Sequence, residues 1–135
     1  MDILIFEGWF LTVNPVTDIE ISLYKNSDKS TNHYNENLIR KMNAKLEPYK
    51  ELWDCIDNLI NLRPENYEFS RQWRINAEHE MIRRSGKGLN NEQLNKFLDF
   101  FWNCLPPYLF FDGNSNMRAD VKIIFNQERN FRFEV

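Results

Sequence analysis

Ile3-Leu4-Ile5-Phe6, followed at once by Glu7-Gly8-Trp9, is a continuous apolar run that ends in an acid. A run without alternation is what a strand buried on both faces requires, and such strands belong to parallel sheets covered by helices. The stretch therefore predicts an α/β fold with an opening strand over Ile3–Phe6. An acid at the carboxyl end of a buried parallel strand points into the crevice where open α/β sheets bind ligands. There a carboxylate can hold Mg²⁺, directly or through water. Glu7 is thus a candidate metal ligand, and its plainer reading is an exposed residue at a strand end.

Working outward, Asn14-Pro15 interrupts the chain, and Ile19, Ile21 and Leu23 then alternate with polar residues as in a half-exposed strand or extended loop. Residues 24–37 are polar and without period, which predicts a loop. The cleanest helical signal follows, with Ile39, Met42, Leu46, Tyr49, Trp53, Ile56 and Ile60 spaced alternately by three and four. Pro48 inside that stripe predicts a kink or restart. Glu47, Glu51 and Asp54 lie opposite, as a solvated face or, in the alternative, a docking surface for a basic partner. Leu59–Leu62 reads as a short strand before Arg63-Pro64.

The next segment is ambiguous, since Tyr67, Phe69, Trp73 and Ile75 alternate while Phe69, Trp73, Ala77 and Met81 recur every fourth residue. Ala77-Glu78-His79-Glu80-Met81 has no β-branched residue, which favours a helix from about Asn66 to Arg84. His79-Glu80 lacks a second histidine at position 83, where Arg83 stands, so it is no zinc motif. Asn90 with Gln93 forms a capping box that opens another helix, with Leu94, Phe97, Leu98, Phe101 and Leu105 on one face and a stop at Pro106-Pro107. Phe100 and Trp102 fall outside that stripe, as core packed under neighbouring elements or as interface residues. The chain closes on a hairpin: Ala119, Val121, Ile123 and Phe125 alternate, residues 126–130 turn, and Phe131, Phe133 and Val135 return.

With 135 residues, 42% of them hydrophobic, the chain can bury one core, and residues 1–135 read as a single domain. A net charge of −3 gives no electrostatic footprint for nucleic acid. Cys55 and Cys104 have no metal spacing and read as small buried hydrophobes in a reducing compartment. No run approaches the roughly 18 apolar residues of a membrane span, and Asp2 stands where a signal peptide would be basic. A cytoplasmic protein is expected, with no membrane partner.

Gly86-Lys87 invites comparison with a nucleotide phosphate loop, GxxxxGK[ST]. The chain has four glycines, Gly8, Gly86, Gly88 and Gly113, and the match would need another at position 81, which is Met81. Ser85-Gly86-Lys87-Gly88 instead reads as a helix C-terminus and turn, with Arg83 and Arg84 suited to the last helical turn.

The ordered set of motifs resembles the C-terminal half of the phosphate-loop small-molecule kinases of the D-glycerate 3-kinase-like family. Glu7, Gly8, Trp9 and Pro15 match its E-G-W element and the proline that follows. Asn43, Leu46, Tyr49 and Trp53 match an N-x-x-L-x-x-Y-x-x-x-W helix, and Trp73, Arg74, Ala77 and Glu78 match a W-R-x-x-A/Q-E segment. Gly86, Gly88 and Leu89 match G-x-G-[ML], and Phe97 and Phe101 the phenylalanine-rich helix after it. Thr12 stands where glycine is expected after E-G-W, and Pro106-Pro107-Tyr108 only roughly matches the family's proline-tyrosine stretch.

The resemblance implies the C-terminal part of a three-layer α/β/α P-loop kinase fold with a terminal β-hairpin, the phosphate loop being absent. For a complete enzyme it implies ATP and Mg²⁺, with γ-phosphoryl transfer to a hydroxyl of a small acid. It makes Glu7 the candidate for the metal or its bound water, and Arg74, joined by Arg71, the candidate for phosphate. An intrahelical pair with Glu78 is the competing use of Arg74. No tight nucleotide binding is expected of this chain alone, and the partner implied is a polypeptide carrying the phosphate loop, or a second copy through self-association. The other readings are a non-catalytic interaction module and a small acidic inhibitor or immunity-type binding protein.

Overall fold

The computed structural model describes residues 3–30, 34–115 and 117–134. In chain order these form α1 (Asp18–Lys25), α2 (Glu36–Ala44), a 3₁₀ turn (Glu47–Tyr49), α3 (Lys50–Trp53), β1 (Ile60–Pro64), α4 (Tyr67–Ser85), α5 (Asn91–Cys104), a wide π turn (Tyr108–Asp112), β2 (Val121–Phe125) and β3 (Phe131–Glu134). The sheet order is β1-β2-β3. β1 and β2 are parallel, with Leu62 opposite Ile123, and β2 and β3 are the antiparallel hairpin, with Ile123 opposite Phe133. The α/β class follows from this parallel pair, whose crossover is α4 and α5.

The buried core lies away from the sheet. Val13, Val16, Ile21, Tyr24, Ile39, Leu109 and Phe110 form it, so the segment after Gly8, α1, α2 and the π turn meet there. Motif residues pin the backbone around this core. Asn43 accepts from the Val16 amide and donates to the Val16 carbonyl, both at 2.8 Å, and the Trp53 indole donates to the Val13 carbonyl at 3.2 Å.

Several sequence expectations hold. α4 starts after Asn66, whose side chain caps the Glu68 amide, and it ends at Gly86 in the left-handed conformation. The Asn90–Gln93 capping box opens α5. Pro48 sits in a 3₁₀ turn that restarts the helix. That restart is brief, however: the helical stripe stops at Trp53, short of Ile56, while the short strand expected at Leu59–Leu62 is β1, shifted to Ile60–Pro64. Val135 of the predicted hairpin lies outside the described residues.

Three further expectations fail. Residues 19–24 are helix, because Thr17 and Glu20 make a reciprocal capping box that outweighs the β-like alternation. Ile3–Phe6 are not a strand: Ile3, Leu4 and Ile5 are 83%, 92% and 88% exposed. A strand exists only through its ladder, and the sheet among the described residues offers that segment no partner. Cys104 is buried as expected, but Cys55 is exposed.

The turn after Gly8 carries strain. Thr12 has φ 62° and Phe10 φ 63°, the region that favours glycine, and Thr12 is β-branched. Its buried Oγ1 has no partner. The glycine that the motif leads one to expect at this position is thus the residue its backbone asks for. Replacing Thr12 by Gly removes about 1–2 kcal/mol of left-handed strain against about 0.5–1 kcal/mol of added unfolded-state freedom. A net gain is expected, read as a higher denaturant midpoint at unchanged slope.

Glu20 also ties distant chain together. Its carboxylate accepts from the Ser115 amide at 2.7 Å and from the Thr17 amide at 2.6 Å. Burial pulls its pKa up, but these backbone donors outweigh that and hold it below the ordinary value. A depressed folded pKa means that this stabilisation is complete above the unfolded value, 4.5, and is lost as pH falls through the lower folded one. Melting temperature should therefore drop in acid below about pH 4.5, with a shallower drop for Glu20→Gln, as followed by circular dichroism.

Candidate functional site

α4 presents both candidate arginines, one turn apart. Arg71 Nη2 lies 2.8 Å from Asp99 Oδ1 on α5, and it also reaches Asn95 Oδ1 at 3.4 Å. Arg74 Nη2 lies 2.7 Å from Glu78 Oε2. No N–H is aimed along that contact, so Oε2 is held by charge and not by a formed hydrogen bond. Glu78 is 1% exposed, and its Oε1 accepts from the Leu89 amide at 2.8 Å. The acid of the W-R-x-x-A-E segment thus closes the α4–α5 connection.

Its neighbours serve the same joint. A Cβ on Gly88 would sit 2.6 Å from Ile82 Cγ1 and 2.9 Å from Glu78 Oε1, so the close approach requires glycine. Trp73 donates its indole N–H to the Gln127 carbonyl at 3.1 Å and carries the Arg129 guanidinium over its ring at 5.2 Å, which docks the hairpin turn on α4.

Glu7 is elsewhere. It is exposed on the extended segment before the Trp9 turn, and no hydrogen bond or ion pair joins it to Arg71 or Arg74 among the described residues. Trp9 stacks on Phe101 of α5 at 4.2 Å, so that segment does reach α5. Among the described residues no group of three or more acids, histidines or cysteines is placed to hold a metal. Mg²⁺ itself needs only one or two carboxylates when substrate phosphates complete its shell.

A nucleoside triphosphate needs a nest of backbone N–H groups with a lysine. The Gly86–Gly88 turn is the opposite end of a helix: the Gly86 amide is spent on the Ile82 carbonyl at 2.8 Å, and the helix C-terminus carries negative partial charge. The residues present do not by themselves fit ATP.

Two clefts lie apart from these residues. One, about 390 Å³, sits against the polar side of the sheet and is lined by Asn61, Arg63, Lys122, Asp112 and Asn114 among others. Arg63 Nη2 lies 2.9 Å from Asp112 Oδ1, to which the Tyr67 hydroxyl also donates at 3.0 Å. Burial first, then the Asp112 charge, pushes the Tyr67 pKa far up, so it remains a donor. The Nε of Arg63 is buried without a partner. The signal was present in sequence as Asn61 and Arg63 alternating with Ile60 and Leu62, but ending the strand at Leu62 hid it. The other cleft, about 240 Å³, is lined by Tyr24, Glu68, Trp102, Pro107 and Tyr108 among others. Burial pushes the Tyr24 hydroxyl up to about 12.

No family model matches the chain. It is 28% identical over 131 residues to the uncharacterized kinase mug58 of Schizosaccharomyces pombe, covering 93% of this chain and 46% of that protein. It is 34% identical over 113 residues to the probable ATP-dependent kinase TDA10 of Saccharomyces cerevisiae, covering 81% of this chain and 36% of that protein. In structure, 99% of the chain superposes on 50% of a D-glycerate 3-kinase from Cryptococcus neoformans, with a TM-score of 0.83 at 24% identity. The chain is a homologue of the D-glycerate 3-kinase-like kinases.

It spans about half the length, or less, of the curated relatives it matches. That share is consistent with the later half of a glycerate 3-kinase-like fold, the half its motifs resemble. Homology to kinases disfavours the inhibitor and immunity-type readings. No described helix is long and apolar enough to cross a membrane.

Proposed function

We propose that this chain is the part of an ATP-dependent small-molecule kinase that follows the phosphate loop, and that it works only together with a polypeptide supplying that loop. The observation that carries the reading is the match to a probable ATP-dependent kinase at 34% identity, over a span that is 36% of that protein. In the complete enzyme, bound ATP and Mg²⁺ would supply the phosphoryl group and its charge neutralisation, and the acceptor would be a hydroxyl of a small acid. From this chain, Arg74 and Arg71 would face the phosphates and Glu7 the metal or its water. The geometry constrains these roles. Arg71 and Arg74 are each engaged by an acid, so a phosphate must share or displace Asp99 and Glu78. An exposed and a buried free cysteine suit a reducing, cytoplasmic location.

The first test uses the chain by itself. Calorimetric titration with Mg-ATP should show no saturable heat at micromolar ligand, because the phosphates find no backbone nest. A tight one-to-one isotherm would overturn the proposal that the loop comes from elsewhere.

A further inference from the structure

Side chains alternate across a strand, and register partners share a face. The pairing puts Asn61 of β1, Lys122 of β2 and Glu134 of β3 in one row on the polar side of the sheet, and Arg63, Ile124 and Arg132 in the next. The cleft of about 390 Å³ lies over these rows, with Phe111 and Met117 on its apolar wall, and its size falls in the range of small-molecule sites. Arg63 and Lys122 are diagonal neighbours on paired strands, roughly 8 Å apart at Cα by strand geometry, so two long cationic side chains can converge on one group. Their present partners leave donors over. Arg63 gives Nη2 to Asp112, which the Tyr67 hydroxyl also supports, while its Nε is buried with no partner. A buried donor left unmade costs free energy that an acceptor in the cleft would recover. Lys122 Nζ lies 3.7 Å from Glu134 Oε2, long for an ion pair, and its side chain is 43% exposed. Arg132 is held by Glu65 instead.

We propose that this cleft is a binding site for a small organic monocarboxylate, with one oxygen accepting from Arg63 Nε, the other from Lys122 Nζ, and the apolar body lying against Phe111 and Met117. Charge selects the class. The cleft is lined by two cations, Arg63 and Lys122, and one anion, Asp112, a net of one positive charge that a single carboxylate balances. A phosphate dianion would bring its second charge against Asp112 on the same guanidinium, whereas a planar carboxylate matches a guanidinium edge. The Asn61 amide, opposite Lys122 in the register, can serve a hydroxyl on the acid. The place differs from the crevice in which open α/β sheets carry their ligands, which lies beyond the carboxyl ends of the strands. Asn61 and Lys122 are the second residues of β1 and β2, and Ala119, also on the lining, precedes β2. The site uses neither a nucleotide nor Arg71 and Arg74, so it stands without the kinase reading. Phe111 and Asp112 come from the π turn, and Arg63 and Lys122 from the sheet, so an occupant ties the two together and stabilises the fold.

The test titrates sodium butyrate and sodium benzoate into the whole chain at constant ionic strength, followed by backbone amide resonances. Saturable shifts centred on Asn61, Ala119 and Lys122 are expected, with a raised melting temperature. Butanamide and benzamide, which keep the shape without the charge, should give neither, and inorganic phosphate should bind more weakly than either acid. Lys122→Met should weaken binding about tenfold, the size of one charge-assisted hydrogen bond, without moving the melting temperature of the free chain. Glu134→Gln should tighten binding, because it frees the ammonium, a gain that a merely structural Lys122 would not produce. Arg63→Lys keeps the charge but loses the Nε donor, and should also weaken binding about tenfold. Should that variant fail to fold, the Lys122 and Glu134 variants decide the question by themselves. No saturation at millimolar acid overturns the site, as does indifference to Lys122→Met or a set of shifts centred on Arg71 and Arg74. An equal response to the amides would make the cleft merely apolar, and a stronger response to phosphate would make it a phosphate site; either result overturns the carboxylate assignment.

Discussion

Phe110→Ala should cost about 3–5 kcal/mol of stability, the range for emptying a large aromatic site in a packed core. Phe110 is completely buried, edge-on to Phe10 at 6.1 Å, within the cluster of Val13, Ile21, Ile39 and Leu109. Single domains are stable by roughly 5–15 kcal/mol, so a loss of that size leaves a marginal or unfolded chain. The measurement is the denaturant midpoint, with Phe131→Ala as comparison. Phe131 is 60% exposed, and its loss from the isolated chain should stay within about 0.5 kcal/mol. A small effect at Phe110 would mean that the core is organised around the sheet instead.

The fold was legible where local chemistry decides it. Asn66, Asn90 with Gln93, Gly86 and Pro48 announce helix ends and a restart, because caps, left-handed glycine and a missing N–H act within a few residues. The hairpin was legible for the same reason. What failed depends on distant partners. Ile3–Phe6 has the composition of a buried strand, yet burial and pairing come from elsewhere in a fold, and composition cannot show whether they are supplied. At residues 19–24 the local code was present in Thr17 and Glu20, but the alternating isoleucines and leucine masked it.

The candidate site was legible as motif positions and not as roles. Asn43, Trp53, Trp73 and Gly88 stand out in the sequence because the family resemblance marks them, and the structure gives each a backbone-tying or close-packing task. Of the Arg63–Asp112–Tyr67 cluster only the alternation that puts Arg63 on the polar face of β1 was legible, since Asp112 comes from a turn 49 positions after Arg63 and only the fold brings the two together.

Arg74 and Glu78 separate the structural from the phosphate-facing use of the motif. Glu78→Ala should lower stability by about 2–4 kcal/mol, because it removes a buried carboxylate and leaves the Leu89 amide without its acceptor. Arg74→Ala should also destabilise, by about 1–3 kcal/mol, since it leaves the Glu78 charge buried with one amide donor. A lowered melting point alone therefore says nothing of catalysis. Glu78→Gln removes the charge while an amide oxygen can still accept from Leu89, so in that background Arg74→Ala should cost well under about 1 kcal/mol. The decisive measurement is turnover by the doubly substituted chain once it is assembled with a phosphate-loop half. If Arg74 touches the transferring phosphate, kcat/KM should stay down by about 2–4 kcal/mol in transition-state stabilisation although the fold has recovered. If Arg74 serves only Glu78, stability and turnover should return together, because the double substitution then removes both ends of a single contact.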